Sequence, residues 1–126
     1  MDTLQLDYKA PKPKILVISD SLGTTASAVV DAAAAQFDDD AIDVVRLTHV
    51  KNIDEVEKFL NEQKEGDRPI AVFHTLGTAA LRREVRDACN QRDIPSIDLM
   101  GPAITVISGL TDQEPSEQIG ALRNKQ

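Results

Sequence analysis

One segment, residues 14–25, restricts the fold more than any other part of the sequence. It begins with four consecutive aliphatic residues at 15–18, which predict a strand covered on both faces, as in a parallel sheet. The apolar run stops at a small, hydroxyl-rich turn that contains Gly23, and a helical pattern follows. We therefore predict a strand, a functional loop at its carboxyl end, and the start of a helix.

The rest of the chain repeats this alternation of apolar runs and helical stripes. Strands are predicted at residues 42–47, 69–75 and 94–100. Helices are predicted from an N-cap at Thr24 or Thr25 to Phe37, the last residue of a continuous apolar stripe, from Asn52 to Gly66, at 78–91 and from Pro102 to 108 or 109. This alternation predicts an α/β domain with an open, four-stranded parallel sheet and helices on both faces, like a flavodoxin or Rossmann fold. The strand at 42–47 is the most polar and belongs at an edge, so we expect the order 2-1-3-4 with right-handed crossovers.

The α/β pattern occupies residues 14–110. Residues 1–13 carry Pro11 and Pro13 and show no clear periodicity, which predicts an extended arm. Residues 111–126 are polar, and Pro115 and Gly120 interrupt their weak patterns, so we expect a polar tail or the start of a linker. The length of 126 residues fits one domain.

The charge balance argues against several classes of partner. A formal net charge of −7 and a pI near 4.7 disfavour a nucleic-acid binder, which needs a clustered basic surface. No apolar run approaches the roughly 20 residues of a membrane span, and no signal-peptide pattern is present. We therefore expect a cytoplasmic protein without nucleic-acid or membrane partners.

One predicted helix carries both the local basic cluster and the single cysteine. Arg82, Arg83, Arg86 and Arg92 are interleaved with acidic residues, which favours a solvated helix face and leaves contact with a partner or an anion as the alternative. Cys89 lies on the apolar stripe of this helix, so we expect a small buried hydrophobic residue. The two histidines are far apart and lack nearby ligands, and we expect no metal.

Three small polar loops are expected to converge at the carboxyl edge of the sheet. The strand order places residues 19–23 opposite residues 74–77, with residues 98–102 beside them. Hydroxyl groups, a glycine and the free N–H groups of a helix start together favour a phosphate or another anion. The candidate residues for this phosphate or nucleotide crevice are Ser19, Asp20, Ser21, Gly23, Thr24, Thr25, His74, Asp98, Gly101 and Pro102.

Each candidate also has a structural interpretation. A hydroxyl-rich turn is what ordinary helix capping needs, and Asp20 can be a turn residue that binds the local backbone. His74 can be a general acid or base or a hydrogen-bonded residue at a strand end, and Asp98 can be functional or can bond the turn N–H groups. No G-x-x-x-x-G-K-[ST] sequence occurs and no lysine lies in the three loops, so a complete nucleoside triphosphate site is missing and no catalytic residue is assigned.

Three motifs, in order, resemble a known family. They are Ile-Ser-Asp-Ser-Leu-Gly-Thr-Thr-Ala at residues 18–26, His-Thr-Leu-Gly at 74–77 and Ile-Pro-Ser-Ile-Asp-Leu-Met-Gly-Pro at 94–102. The likeness spans roughly residues 14–122 and is to the amino-terminal part of the regulatory proteins of pyruvate, phosphate dikinase and phosphoenolpyruvate synthase. The first motif is similar to the family's Ile-Ser-Asp-Ser-Thr-Gly-Glu-Thr-Ala, and the last to its Asp-Leu-Leu-Gly-Pro.

The resemblance implies a bifunctional regulator. Members of the family phosphorylate a threonine of the target enzyme with ADP, and they remove this phosphoryl group with phosphate, which releases pyrophosphate. The crevice residues that carry over are Ser19, Asp20, Ser21, Gly23, Thr25, Asp98, Gly101 and Pro102, whereas His74 lies where the family commonly has an aromatic residue.

Family members are considerably longer, and their phosphate-binding loop lies in the second half. The resemblance therefore implies that this chain is an amino-terminal domain, excised or naturally truncated, with no cofactor of its own and inactive alone. ADP and phosphate belong to the full-length family. The expected partner is the target enzyme; the sequence leaves open which of the two enzymes it is and whether the domain forms a homodimer.

A stand-alone receiver-like or small-anion-binding module of flavodoxin-like shape is the competing interpretation. A phosphoacceptor receiver needs paired acidic residues after its first strand and an aspartate at the end of its third strand. Those places hold Ser19 with Asp20, and His74, so this interpretation ranks second. A purely structural interaction domain is the third, because the acidic surface permits it.

Overall fold

A computed structural model describes residues 11–118 of the chain. Most of the predicted arm at 1–13 and the last part of the predicted tail, residues 119–126, therefore lie outside the described residues. Within the described range, no helix combines the length and the hydrophobicity that a bilayer crossing needs.

Four strands and four helices alternate along the chain. They are β1 (Lys14–Ser19), α1 (Thr24–Ala34), β2 (Asp43–Leu47), α2 (Ile53–Lys64), β3 (Ile70–Thr75), α3 (Ala79–Gln91), β4 (Ser96–Asp98) and α4 (Gly101–Thr111). All neighbouring strands pair in parallel, and the sheet order is β2-β1-β3-β4. The predicted α/β class, the strand order and the edge position of the second strand are confirmed.

The register of the strands aligns their carboxyl ends. Ile18 of β1 lies opposite His74 of β3, and His74 lies opposite Asp98 of β4, so the three residues form one row across the sheet. Ser19 pairs with Thr75 in the next row. Since each strand is followed by its loop at this edge, the three polar loops predicted to converge start from adjacent positions.

The sheet is covered unequally on its two faces. On one face, α2 and α3 pack against a large buried cluster that includes Leu16, Leu60, Val72 and Val85. On the other face, the buried cluster is limited to Val17, Ala26 and Val30, with partly buried neighbours around it. Most of the apolar stabilisation therefore lies between the sheet and the α2/α3 layer.

The first helix differs from its prediction at both ends. Its N-cap is Gly23, with a φ of 82°, and neither Thr24 nor Thr25 serves as the cap. The helix ends at Ala34, and Phe37, expected on the buried stripe, is 70% exposed. The apolar spacing of the sequence continues beyond the point at which the sheet offers a surface to cover it.

The other two long helices match their predictions more closely. Asn52 caps α2, because its side-chain oxygen accepts a hydrogen bond from the N–H of Glu55 at 3.1 Å. Cys89 is buried on the apolar stripe of α3, as expected. The predicted solvated arginine face is wrong for Arg82 and Arg92, whose side chains are only 14% and 18% exposed.

Candidate functional site

A cavity of about 290 Å³ opens at the carboxyl ends of β1 and β3. We call it the hydroxyl cavity. One wall is the loop after β1 with the first residues of α1, and it consists of Ser19, Asp20, Ser21, Gly23, Thr24 and Thr25. The opposite wall is formed by Thr75 at the end of β3, by Gly77 in the following loop, by Met100 and Ile104 of the α4 region, and by residues 115–118. Six of the ten predicted candidates are thus brought together here.

Hydrogen bonds hold the loop after β1 in place. The Asp20 carboxylate is 8% exposed and accepts a hydrogen bond of 2.7 Å from the Gly77 N–H, which ties this loop to the loop after β3. The carbonyls of Ser19 and Ser21 accept bonds from the N–H groups of Val50 and His49, each at 3.0 Å. Asp20 therefore fixes the wall of the cavity, whatever further role it has.

The helix that starts at the hydroxyl cavity has an open N-terminus. Side-chain oxygens of Asn52, Thr78 and Asp98 accept hydrogen bonds from N–H groups at the starts of α2, α3 and α4. Among residues 11–118 no side chain does so for α1. Since the first N–H groups of a helix have no partner within it, α1 presents donors beside the cavity wall.

Gly23 makes this helix start possible. Its φ of 82° lies in the left-handed region that side chains rarely adopt, and a Cβ atom here would come within 3.3 Å of Thr48 Cγ2. The loop can therefore enter α1 directly, without a capping side chain filling the space.

The last described residues close the hydroxyl cavity from the side. Glu117 Oε2 accepts a hydrogen bond of 3.1 Å from the N–H of Ala79, at the start of α3. The cavity lining contains two carboxylates, Asp20 and Glu117, and no lysine, arginine or histidine. It thus offers hydroxyl and amide groups without a cation from residues 11–118.

The other four candidates line a second depression. An open groove of about 990 Å³ lies between α3 and α4, above β4. We call it the arginine groove. Its lining includes the candidates His74, Asp98, Gly101 and Pro102, and from α3 also Arg82, Arg83, Arg86 and Asn90. The single crevice expected from the sequence is thus two separate sites, and the arginines were not among the candidates. The sequence does contain a signal for a shared arginine site, because Arg82 and Arg86 are four residues apart and therefore lie on the same face of the helix.

Asp98 has a defined structural role at the start of α4. Its Oδ1 atom accepts hydrogen bonds from the N–H groups of Met100 at 2.9 Å and of Gly101 at 2.7 Å. Its Oδ2 atom lies 3.6 Å from Nε of Arg82, and Arg82 Nη1 also donates to the Leu76 carbonyl at 3.0 Å. Asp98 therefore joins β4, α3 and α4 at one edge of the groove.

His74 is the buried polar residue beneath this groove. It is 1% exposed, and its Nδ1 atom has no hydrogen-bond partner among residues 11–118. The nearest carboxylate oxygen, Asp98 Oδ1, is 3.9 Å from Nδ1, which is too far for a hydrogen bond. Burial lowers the pKa of His74 below its usual 6.5; Asp98 opposes this shift and the charge of Arg82 adds to it. The imidazole is therefore neutral at pH 7.

Neither metal ligation nor thiol chemistry is supported in the described part of the chain. Residues 11–118 contain no group of three or more histidine, cysteine, aspartate or glutamate side chains arranged to hold a metal ion. Burial raises the pKa of Cys89 to about 11. Its thiol is therefore protonated at neutral pH and is a poor nucleophile in the folded protein.

The fold and the site define a class of protein. In the sheet order β2-β1-β3-β4, the chain adds β2 on one side of β1 and then β3 and β4 on the other side, so the switch point lies between β1 and β3. The hydroxyl cavity lies at this switch point, where doubly wound α/β domains bind their ligands. Comparison with known families matches residues 15–126 to the family described as Kinase/pyrophosphorylase. The chain belongs to this family.

Several curated relatives carry the same functional name. A pyruvate, phosphate dikinase regulatory protein of Carboxydothermus hydrogenoformans is 32% identical over 111 residues, which are 88% of this chain and 39% of the relative. Proteins with that name from Clostridium beijerinckii and Halalkalibacterium halodurans are 35% and 34% identical over 109 residues, 86% of this chain and 40% of each relative. The chain thus spans about two fifths of the length of these relatives.

Proposed function

We propose that this chain is the amino-terminal domain of a regulatory serine/threonine kinase and phosphate-dependent pyrophosphorylase. The regulated enzyme would be pyruvate, phosphate dikinase or phosphoenolpyruvate synthase. Membership of the kinase/pyrophosphorylase family and the regulatory names of the relatives support this proposal. In it, the hydroxyl cavity forms one wall of the nucleotide or phosphate site of the longer protein.

The open N-terminus of α1 is the observation that carries the proposal. Its unbonded N–H groups, the hydroxyl groups of Ser19 and Ser21, and those of Thr24 and Thr25 border one cavity. Such an arrangement favours an anionic oxygen, because the N–H groups and the helix dipole both present positive charge to it.

The same cavity supports the proposal that the domain is inactive alone. Phosphoryl transfer depends on positioning and on neutralising the transferred group, and basic side chains or Mg²⁺ normally do the latter. The hydroxyl cavity holds no cationic side chain of residues 11–118. In our proposal the cations come from the remainder of the full-length protein, with ADP and phosphate as its ligands.

The proposal extends to cell compartment and partners. The acidic net charge of −7 suits a cytoplasmic protein that docks onto an enzyme and not onto nucleic acid. Assembly as a homodimer is compatible with it. ADP-dependent kinase activity of this chain alone would contradict the assignment of a non-catalytic domain.

An NMR titration of the chain with ADP, AMP, phosphate and pyrophosphate tests the proposed ligand site. We expect saturable amide shifts at residues 19–25 for at least one of these ligands. The Gly23→Ala variant should abolish them, because a Cβ atom is strained at this φ and crowds Thr48.

Gly66→Ala is the matched control. Gly66 also has a positive φ, 113°, but a Cβ atom there meets nothing within 4 Å, and the residue is remote from the cavity lining. This variant should bind like the unmodified chain. If no ligand shifts residues 19–25 at millimolar concentration, the hydroxyl cavity is not a nucleotide or phosphate site.

A further inference from the structure

We propose that the arginine groove binds a tetrahedral oxyanion, a phosphate group either free or carried as a monoester, through Arg83 and Arg86. This site is separate from the hydroxyl cavity and does not depend on the function proposed for that cavity. It rests on the arrangement of the arginines, on the charge of the groove, and on the unpartnered nitrogen of His74.

The arginines form one polar stripe of α3. Arg82, Arg86 and Asn90 follow one another at intervals of four residues, and Arg83 lies next to this row. The stripe is offset from the buried residues Leu81 and Val85, so it faces the groove and not the core. Three guanidinium groups therefore share one depression.

The arginines divide into one anchored and two available side chains. Arg82 is largely buried and already bonded to the Leu76 carbonyl, close to Asp98. Arg83 and Arg86 are exposed, and the only salt bridge of Arg86 within residues 11–118 is an exposed contact of 3.7 Å with Asp87, one residue away. Exposed contacts of this kind contribute little, so both guanidinium groups can turn to a ligand. Planar guanidinium groups bind phosphate through paired N–H donors.

Charge separates this groove from the hydroxyl cavity. The groove lining holds three arginines and one carboxylate, Asp98, whose Oδ1 atom already accepts two backbone hydrogen bonds. The hydroxyl cavity holds two carboxylates and no cation of the described residues. In a chain with a net charge of −7, the groove is thus a local site of positive potential.

His74 supplies the independent observation. Buried side-chain nitrogens nearly always have a hydrogen-bond partner, yet Nδ1 of His74 has none among residues 11–118. This residue borders the groove beside Arg82 and Asp98. The Nδ1 atom of a neutral imidazole can carry the proton and donate it to an oxygen. A ligand oxygen, reached directly or through water, would satisfy this atom.

The test is a titration of the full chain with inorganic phosphate and with N-acetyl-phosphoserine amide, followed by amide shifts in α3. We expect saturable shifts at Arg83 and Arg86. The double variant Arg83→Gln/Arg86→Gln should weaken binding by at least about tenfold, as expected when charged hydrogen bonds are lost. The Gly23→Ala variant should leave this binding unchanged, which separates it from the hydroxyl cavity.

The matched control is Arg46→Gln/Lys51→Gln, which removes the same charge from exposed positions outside the groove lining. It should change the affinity by less than about twofold, because solvent and salt screen distant charges. Tighter binding of the ester identifies a phosphate carried on another molecule, and equal or tighter binding of inorganic phosphate identifies free phosphate; both support the proposal. Equal losses in the two double variants, or no saturable shift in α3, would overturn it.

Discussion

The two faces of the sheet differ in how many apolar residues they bury. The α2/α3 face buries thirteen residues in one cluster, whereas the α1 face buries three. The helix α4 has no charged residue, buries only Gly101, and exposes Val106, Ile107 and Leu110. The α2/α3 face therefore supplies most of the stability, and α1 and α4 add few buried residues to it.

This difference matters for the two sites. Both sites are bordered by α4, but the second helix of the hydroxyl cavity is α1, which buries two residues, whereas that of the arginine groove is α3, which buries four. Regions with few buried apolar contacts open most easily. The hydroxyl cavity can thus change its width at a lower free-energy cost than the arginine stripe can move.

The largest expected effect compares the same substitution in the buried core and on the exposed helix α4. Leu60→Ala should lower the free energy of unfolding by about 2–5 kcal/mol, because Leu60 is 0% exposed and its removal leaves a cavity. Leu110→Ala, at 81% exposure on α4, should change it by less than about 0.5 kcal/mol. Chemical denaturation of both variants measures the difference. Equal losses would show that the exposed residues of α4 are as important for folding as the core.

An intermediate effect compares two glycines of α4. A Cβ atom at Gly101 would lie 2.2 Å from Asp98 Oδ2 and 3.0 Å from Arg82 Nε, so Gly101→Ala should destabilise the fold by about 1–3 kcal/mol. A Cβ atom at Gly109 meets nothing within 4 Å. Gly109→Ala should therefore stabilise α4 by up to about 1 kcal/mol through helix propensity. Thermal unfolding measures whether each substitution raises or lowers the stability. If Gly101→Ala leaves the stability unchanged, the side chain of Asp98 can move away from the added Cβ atom at no cost in free energy.

The sequence predicted the well-packed half of the molecule better than the other half. The apolar stripe of α3 predicted the burial of Cys89, and the polar residues of the second strand placed that strand at an edge, which led to the strand order. Phe37 was placed in the core because its spacing continues the stripe of α1, but spacing does not reveal where the sheet ends. Packing at an edge depends on contacts between distant segments, which a local pattern does not contain.

The sequence placed some residues of the two sites correctly and others in the wrong site. Residues close in sequence, such as Ser19 and Gly23, were placed together because the end of a parallel strand fixes their position. His74 and Asp98 were assigned to the same crevice, yet they line the other depression, since their side chains lie on the α3 side of the sheet. The hydrogen bond from the Gly77 N–H to the Asp20 carboxylate also joins residues that are far apart in the sequence. Only the strand register and side-chain direction together determine such contacts.

The smallest effect concerns His74, the polar residue that ends the apolar row of β3. Burial lowers its pKa below 6.5 in the folded protein, with Asp98 opposing and Arg82 adding to the shift. As the pH falls through 6.5, the unfolded chain therefore takes up a proton that the folded chain does not. The contribution of His74 to the free energy of unfolding is fully present above pH 6.5 and is lost below it. The free energy of unfolding then falls by at most about 1.4 kcal/mol per pH unit.

Urea denaturation between pH 7.5 and 5.5 measures this slope, in a range above most carboxylate titrations. His74→Gln should flatten the dependence, because the amide does not titrate. His49→Gln, at the exposed second histidine, should leave it as in the unmodified chain. If His74→Gln retains the full slope, the imidazole titrates equally in both states, and the α3 side of the sheet would have to admit water at His74. That result would remove the contrast between the well-packed α2/α3 face and the less packed α1 face at this edge of the sheet.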